Sequence, residues 1–344
     1  MQAISEHKPY PPTTAGLGGM PNIDVDDPIT AVFIFLFLLG AITHMTILQV
    51  NLRRGKKFFM SGMLFGFCMA RIVACSMRLA WSTHHDNISV AIAAQVFVSI
   101  GVILLFIVNL IFAQRILRAS HPHIGWAKWF SWAFKAFYAS IIIVIIALVT
   151  CSVQSFYTRS HNTLRIDRDV VRFGGTYFAV AAFLPIVLLV LGGVIPRRSG
   201  TEKFGHGHFS TKIIILVCSS LLLTLGAAFR AGIAYAPRPI NDPAWYHSKA
   251  CFYIFNFTIE CIVVALYAII RVDKRFIVPN NSHGPGDYSG QGDGAGHQKS
   301  SVYRVKSEEE VFDDQPEDDE VSSPAVNNED DLEAQHTVET ASHT

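Results

Sequence analysis

Seven runs of mostly apolar residues dominate this chain, each close to the roughly 20 residues a helix needs to cross a bilayer's hydrocarbon core. They lie near residues 28–50, 60–81, 89–114, 133–154, 173–195, 212–234 and 248–271. Only 16% of the residues are charged, whereas soluble domains carry about a quarter. The fold class expected is therefore an all-α membrane protein, a seven-transmembrane helix bundle. Residues 1–27 read as an extracellular N-terminal segment, 28–278 as the membrane domain, and 279–344 as a disordered acidic cytoplasmic tail. The tail has no Lys or Arg after Lys306, and a glycine-rich linker precedes its run of carboxylates. Such a stretch cannot bury enough apolar surface to fold. Ser307, followed by three glutamates, marks it as a candidate phosphorylatable docking segment.

The N-terminus lacks the charged start, short apolar core and cleavage site of a signal peptide, so the first span is expected to target the chain itself. Orientation follows from Lys and Arg in alternate loops. Fourteen lie on one side, including Arg53, Arg54, Arg115, Arg118, Lys203 and Arg275, and seven on the other. The N-terminus is thus expected outside and the tail in the cytoplasm. The cluster "GWAKWFSWAFK" is expected along the inner interface before helix four, where aromatic belts gather. Asn87-Ile88-Ser89 is a glycosylation acceptor by pattern. Six cysteines show no zinc spacing; Cys151 and Cys251 fall near outer helix ends where they could bridge, but separate buried thiols are the expected state.

Charged residues inside membrane helices usually face the bundle interior and mark function. In helix seven, Lys249, Tyr253, Asn256, Glu260 and Tyr267 recur at helical spacing, and helix two repeats the pattern with Cys68, Arg71, Cys75, Arg78 and Ser82. Counted from the helix ends, Arg71 and Glu260 lie at equal depth and are expected to pair. Arg78 and Arg230 are expected nearer the outer surface, met by Asp86, Asp242 or an anionic ligand. The polar centre or ligand-binding set is then Arg71, Arg78, Arg230, Asn256, Glu260 and Tyr267. Gln95, Ser99 and Asn109 of helix three are expected to face the same interior. Gly62, Gly66, Ala70 and Ala74 form a close-packing ridge on helix two, Ala228 and Gly232 a shorter one on helix six. Pro185 is expected to kink helix five. Two roles fit the Arg71–Glu260 pair: a register pin between helices, or a protonatable or ligand-binding centre.

Several functions are argued against by missing residues. Helix seven lacks the central lysine of a retinal protein, no HExxH occurs, and His44 is the one histidine well inside a predicted helix. No phosphate-cradling loop or triad is visible. No enzymatic activity, cofactor, metal or nucleic-acid partner is expected.

The segments "FGFCMARIVACSMRLAW", "NLIFAQRILRASHP" and "YIFNFTIECIVVALYAIIRVDKRFIVPN" resemble a fungus-restricted family of seven-helix membrane proteins of unknown function, some labelled family C-like G-protein-coupled receptors. The resemblance spans about residues 30–280. More remotely, Arg230 followed by Glu260 and Tyr267 is similar to the fungal lipid-translocating exporter family. The rhodopsin-like triplet after helix three is replaced by Ala113-Gln114-Arg115, and helix seven lacks an asparagine-proline pair. The function expected is a receptor-like sensor of an unidentified ligand; the alternatives are a lipid or small-solute translocator and a membrane scaffold. Partners expected are membrane lipids and a cytoplasmic signalling protein at the inner loops or tail. The plasma membrane is the expected location, with the vacuolar and endoplasmic reticulum membranes as alternatives.

Overall fold

The computed structural model describes residues 8–196 and 200–289; the acidic tail from residue 290 lies outside them, as do Arg197 and Arg198. Among the described residues, seven helices are long and apolar enough to cross a membrane: Asp26–Arg53, Phe59–Thr83, Ile88–Ser120, Lys128–Gln154, His161–Val194, Phe209–Tyr235 and Lys249–Ile269. They are called helices one to seven. The chain is a multi-pass, all-α membrane bundle with short connections, and a helix is a form in which a lipid-spanning backbone can satisfy its own polar groups.

Several boundaries differ from the apolar runs, each for a physical reason. Helix five has 34 residues, roughly 51 Å at 1.5 Å per residue, so it outruns the hydrocarbon core. Arg165, Arg168 and Arg172, expected in a loop, ride on its polar first turns. Helix four starts at Lys128, which places Trp129 and Trp132 on the helix and exposed, rather than in a stretch along the interface. Helix three is interrupted at Val102, between Ile88–Gly101 and Ile103–Ser120. Asn87 is exposed and accepts the Val90 amide at 3.3 Å, capping that helix. Helix five runs on through Pro185.

Helix three is the central post, with 56% of its apolar window buried, while helix four, at 6%, is peripheral. Helices one and two pack through small residues. A Cβ on Gly40 would meet Cys68 Sγ at 3.1 Å, and one on Gly62 would meet Leu48 at 3.5 Å. The expected ridge on helix six is corrected: Ala228 and Gly232 are exposed, and Gly226, Ala227 and Ala231 are buried instead. Residues advance about 100° around a helix, so the buried arc is set by azimuth rather than by small size. Gln95 is likewise exposed and does not face the interior. Cys151 and Cys251 form no bridge; all six cysteines are free.

Both ends of the bundle are covered by ordered chain. At the end where the chain enters, here the N-terminal end, residues 8–25 form a strap across the loops. Tyr10 N donates to Phe156 O (2.7 Å), Ala15 N to Arg238 O (2.8 Å) and Gly18 N to His247 O (3.0 Å), with a single antiparallel bridge between Thr14 and Pro239. Gly18 has φ +79°, and a Cβ there would stand 2.7 Å from Phe252 Cγ, so only glycine fits at this point of the strap, above Phe252. At the opposite, basic end the ordered chain continues past Pro279, a correction to the expected start of the tail. Asn280 Nδ2 donates to Gly55 O (2.8 Å), Gly286 N to Glu202 Oε1 (2.8 Å), and Tyr288 is buried against Trp126 and Phe204. Burial pushes the Glu202 carboxyl above the ordinary carboxylate range.

Candidate functional site: the buried charge centres

Arg71 sits in mid-helix two with its side chain fully buried. Its Nη2 donates to Glu260 Oε1 at 2.7 Å, its Nε lies 2.5 Å from Glu260 Oε2, and its Nη1 donates to Val98 O at 2.7 Å. The guanidinium is thus divided between helix seven and helix three. It lies flat on Gly101, where a Cβ would be 3.2 Å from its Cζ, beside the break at Val102. Phe67 and Phe257 flank it with ring centroids at 5.4 and 5.6 Å. The pairing expected from depth is present.

Arg230 brings a second cation to the same carboxylate. Its Nη1 lies 3.7 Å from Glu260 Oε1, 3.2 Å from Asn256 Oδ1 and 3.4 Å from Phe255 O. Its side chain is 21% exposed, against 0% for Arg71, so Arg230 is the loosely held and partly open partner. Two guanidiniums therefore face one carboxylate, an excess of one positive charge.

Helix seven makes this possible by widening to a π turn over Ile254–Thr258. Polar side chains serve the loosened ladder: Asn256 Nδ2 donates to Phe252 O (2.9 Å) and Thr258 Oγ1 to Tyr253 O (3.2 Å). Single π turns inside α-helices concentrate at functional sites.

Arg78 departs from expectation. Its partner is neither Asp86, which is exposed, nor Asp242, which pairs with Arg238 at 3.7 Å. Arg78 Nε and Nη2 grip Asp26 Oδ1 at 3.1 and 2.8 Å, and Nη2 also donates to Gly18 O at 3.0 Å. Lys249 binds Asp26 Oδ2, Tyr253 OH donates to Asp26 Oδ1 (2.8 Å), and Thr30 Oγ1 lies 2.8 Å from Tyr253 OH. Ser82 Oγ donates to Asp27 Oδ1 at 2.6 Å. This second centre ties the strap, helices one and two, and the start of helix seven together. Asp26 was missed because the apolar run begins two residues later, although two acids in the first turn of a helix are a recognisable signal.

Tyr267 belongs to neither centre. It donates to Asn109 Oδ1, whose Nδ2 reaches Ser220 Oγ (3.1 Å) and Ser219 Oγ (3.3 Å), a neutral link among helices three, six and seven. At the basic end, Arg271 Nε and Nη2 each donate to Asp273 at 2.9 Å, and Asn51 Nδ2 donates at 3.1 Å. Burial pushes the Asp273 carboxyl up, but these hydrogen bonds outweigh it and hold the group below the ordinary carboxylate value. Among the described residues, no three His, Cys, Asp or Glu side chains gather as metal ligands.

A family model described as a protein of unknown function (DUF3112) matches residues 199–277. That stretch contains helices six and seven, hence Arg230, Asn256, Glu260 and Tyr267, but neither Arg71 nor Arg78. Comparison with curated proteins gave no match, and neither did comparison with solved structures.

Proposed function

We propose that this chain is a receptor-like membrane sensor in which an anionic ligand, entering from the N-terminal end, competes with Glu260 for Arg230. One observation carries the reading: Arg230 is partly exposed and held at 3.7 Å, while Arg71 secures the same carboxylate from full burial. An anion on Arg230 leaves Glu260 with Arg71 alone, and helix seven can respond at its π turn. Ionisable groups inside membranes are costly enough that a functional role is the default reading. In this reading the N-terminal end faces outside, consistent with the loop charges, and the response reaches a cytoplasmic partner through the basic loops.

The test is a thermal-stability screen of the purified full chain against small carboxylates, phosphates and sulfates. A genuine ligand raises the unfolding midpoint of wild type and loses that effect in Arg230→Gln. Stabilisation that persists in Arg230→Gln, or no stabilisation by any anion, rejects the proposal. Uptake of the same anion into proteoliposomes would replace the sensor with a translocator.

A further inference from the structure

A second site lies away from the charge centres. Near the basic end a cavity of about 330 Å³ opens between the last turns of helix three, the first turns of helix four and the last turns of helix five, a volume within the range of ligand pockets. Leu117, Ile124, Phe134, Leu188 and Ile195 supply apolar walls, and Trp129 stands at the mouth. Inside the mouth, the His121 ring is already committed, with Nε2 donating to Ile195 O at 3.1 Å and Nδ1 3.1 Å from Ser120 Oγ. The walls offer an occupant only hydrocarbon contact.

Depth and charge identify that occupant. The lining runs from Trp129 to Phe137 on helix four and from Leu184 on helix five to Ile195 just past its end, about 12 and 16 Å at 1.5 Å per residue. One leaflet of a hydrocarbon core is about 15 Å, half of roughly 30 Å. The slot therefore begins at headgroup level and reaches one leaflet deep. Exposed Lys128, the first residue of helix four and next to Trp129 in the chain, puts positive charge at the headgroup end of the slot. By loop charge this end faces the cytoplasmic leaflet, which carries the anionic lipids. We infer that the slot is a specific site for one acyl chain of an anionic phospholipid, with its headgroup held at Lys128 and Trp129.

Native mass spectrometry of the full chain in non-ionic detergent, titrated with phosphatidylserine, phosphatidylcholine or a sterol, tests this. The expected result is one phosphatidylserine bound at least tenfold tighter than any further copy and at least fivefold tighter than phosphatidylcholine. Ala133 lines the slot and is exposed, so Ala133→Phe fills the slot without disturbing the bundle and should abolish the tight event. Lys128→Gln, a separate surface change, should erase the preference for phosphatidylserine while keeping a bound chain. A statistical ladder of bound lipids overturns the inference, as does unaltered binding in Ala133→Phe, preferential uptake of the sterol, or a homodimer that excludes lipid.

Discussion

Gly226 of helix six lacks a side chain where the carbonyl oxygen of Phe255 in helix seven would lie only 2.9 Å from a Cβ. The obstructing atom is backbone and cannot swing aside. This contact holds helix six close enough for Arg230 to reach Glu260. Gly226→Ala should lower stability by about 1–3 kcal/mol, the usual cost of overpacking. Gly232→Ala, with nothing within 4 Å of its Cβ, should change it by no more than about 0.5 kcal/mol. Apparent unfolding midpoints of the two variants in the same detergent check the contrast.

Glu260→Gln removes the carboxylate that balances Arg71 and Arg230. Breaking one side of a buried pair costs about 3–5 kcal/mol because the remaining charge is stranded. Arg71→Met combined with Glu260→Met should cost clearly less than the sum of the single changes, with a coupling of about 0.5–3 kcal/mol. A double-mutant thermal-stability cycle measures it, and additivity would contradict the 2.5 Å contact.

Asp26→Asn should free the strap. Arg78 and Lys249 would share a neutral amide, and the Arg78 bond to Gly18 O would lose its anchor. Limited proteolysis between residues 8 and 25 should become about tenfold faster, equivalent to about 1.4 kcal/mol of local opening. Asp86→Asn and Asp242→Asn should leave the cleavage rate unchanged.

His247 gives the strap a pH dependence. Its ring is buried and its carbonyl holds Gly18 N; burial lowers its pKa below 6.5, opposed by a hydrogen bond with the Ala244 backbone and reinforced by the Arg238 charge. The closed strap therefore favours neutral His247. Its contribution is intact above pH about 6.5, falls as pH drops toward the lowered value, and then levels off. Between pH 7.5 and 5, strap proteolysis in wild type should accelerate more than in His247→Phe, which cannot titrate.

Much of the membrane architecture was visible in the residues. Apolar length marked all seven spans, and counting depth along helices two and seven was enough to pair Arg71 with Glu260. The same counting misdirected Arg78, because its partner Asp26 opens helix one ahead of the apolar run, where hydropathy does not mark the helix. Its other partner, the Gly18 carbonyl, sits in a strap held by bonds to loop carbonyls, which leave no side-chain periodicity to read. Tyr267 shares the stripe of Glu260 but lies seven residues on, about 10 Å along the axis, and so meets Asn109 instead. Gln95 was misplaced because spacing along helix three does not reveal which arc of its first half meets another helix.

The π turn at Ile254–Thr258 allows one helix to address two partners. An uninterrupted α-helix advances about 100° per residue, so Lys249 and Tyr253 before the turn would be locked in phase with Glu260 after it. The widened turn breaks that lock: one segment points at Asp26 while the other points at Arg71 and Arg230. It acts as a phase shifter, and deleting a single residue from it would turn one charge centre away from its partners even if every charged side chain were kept.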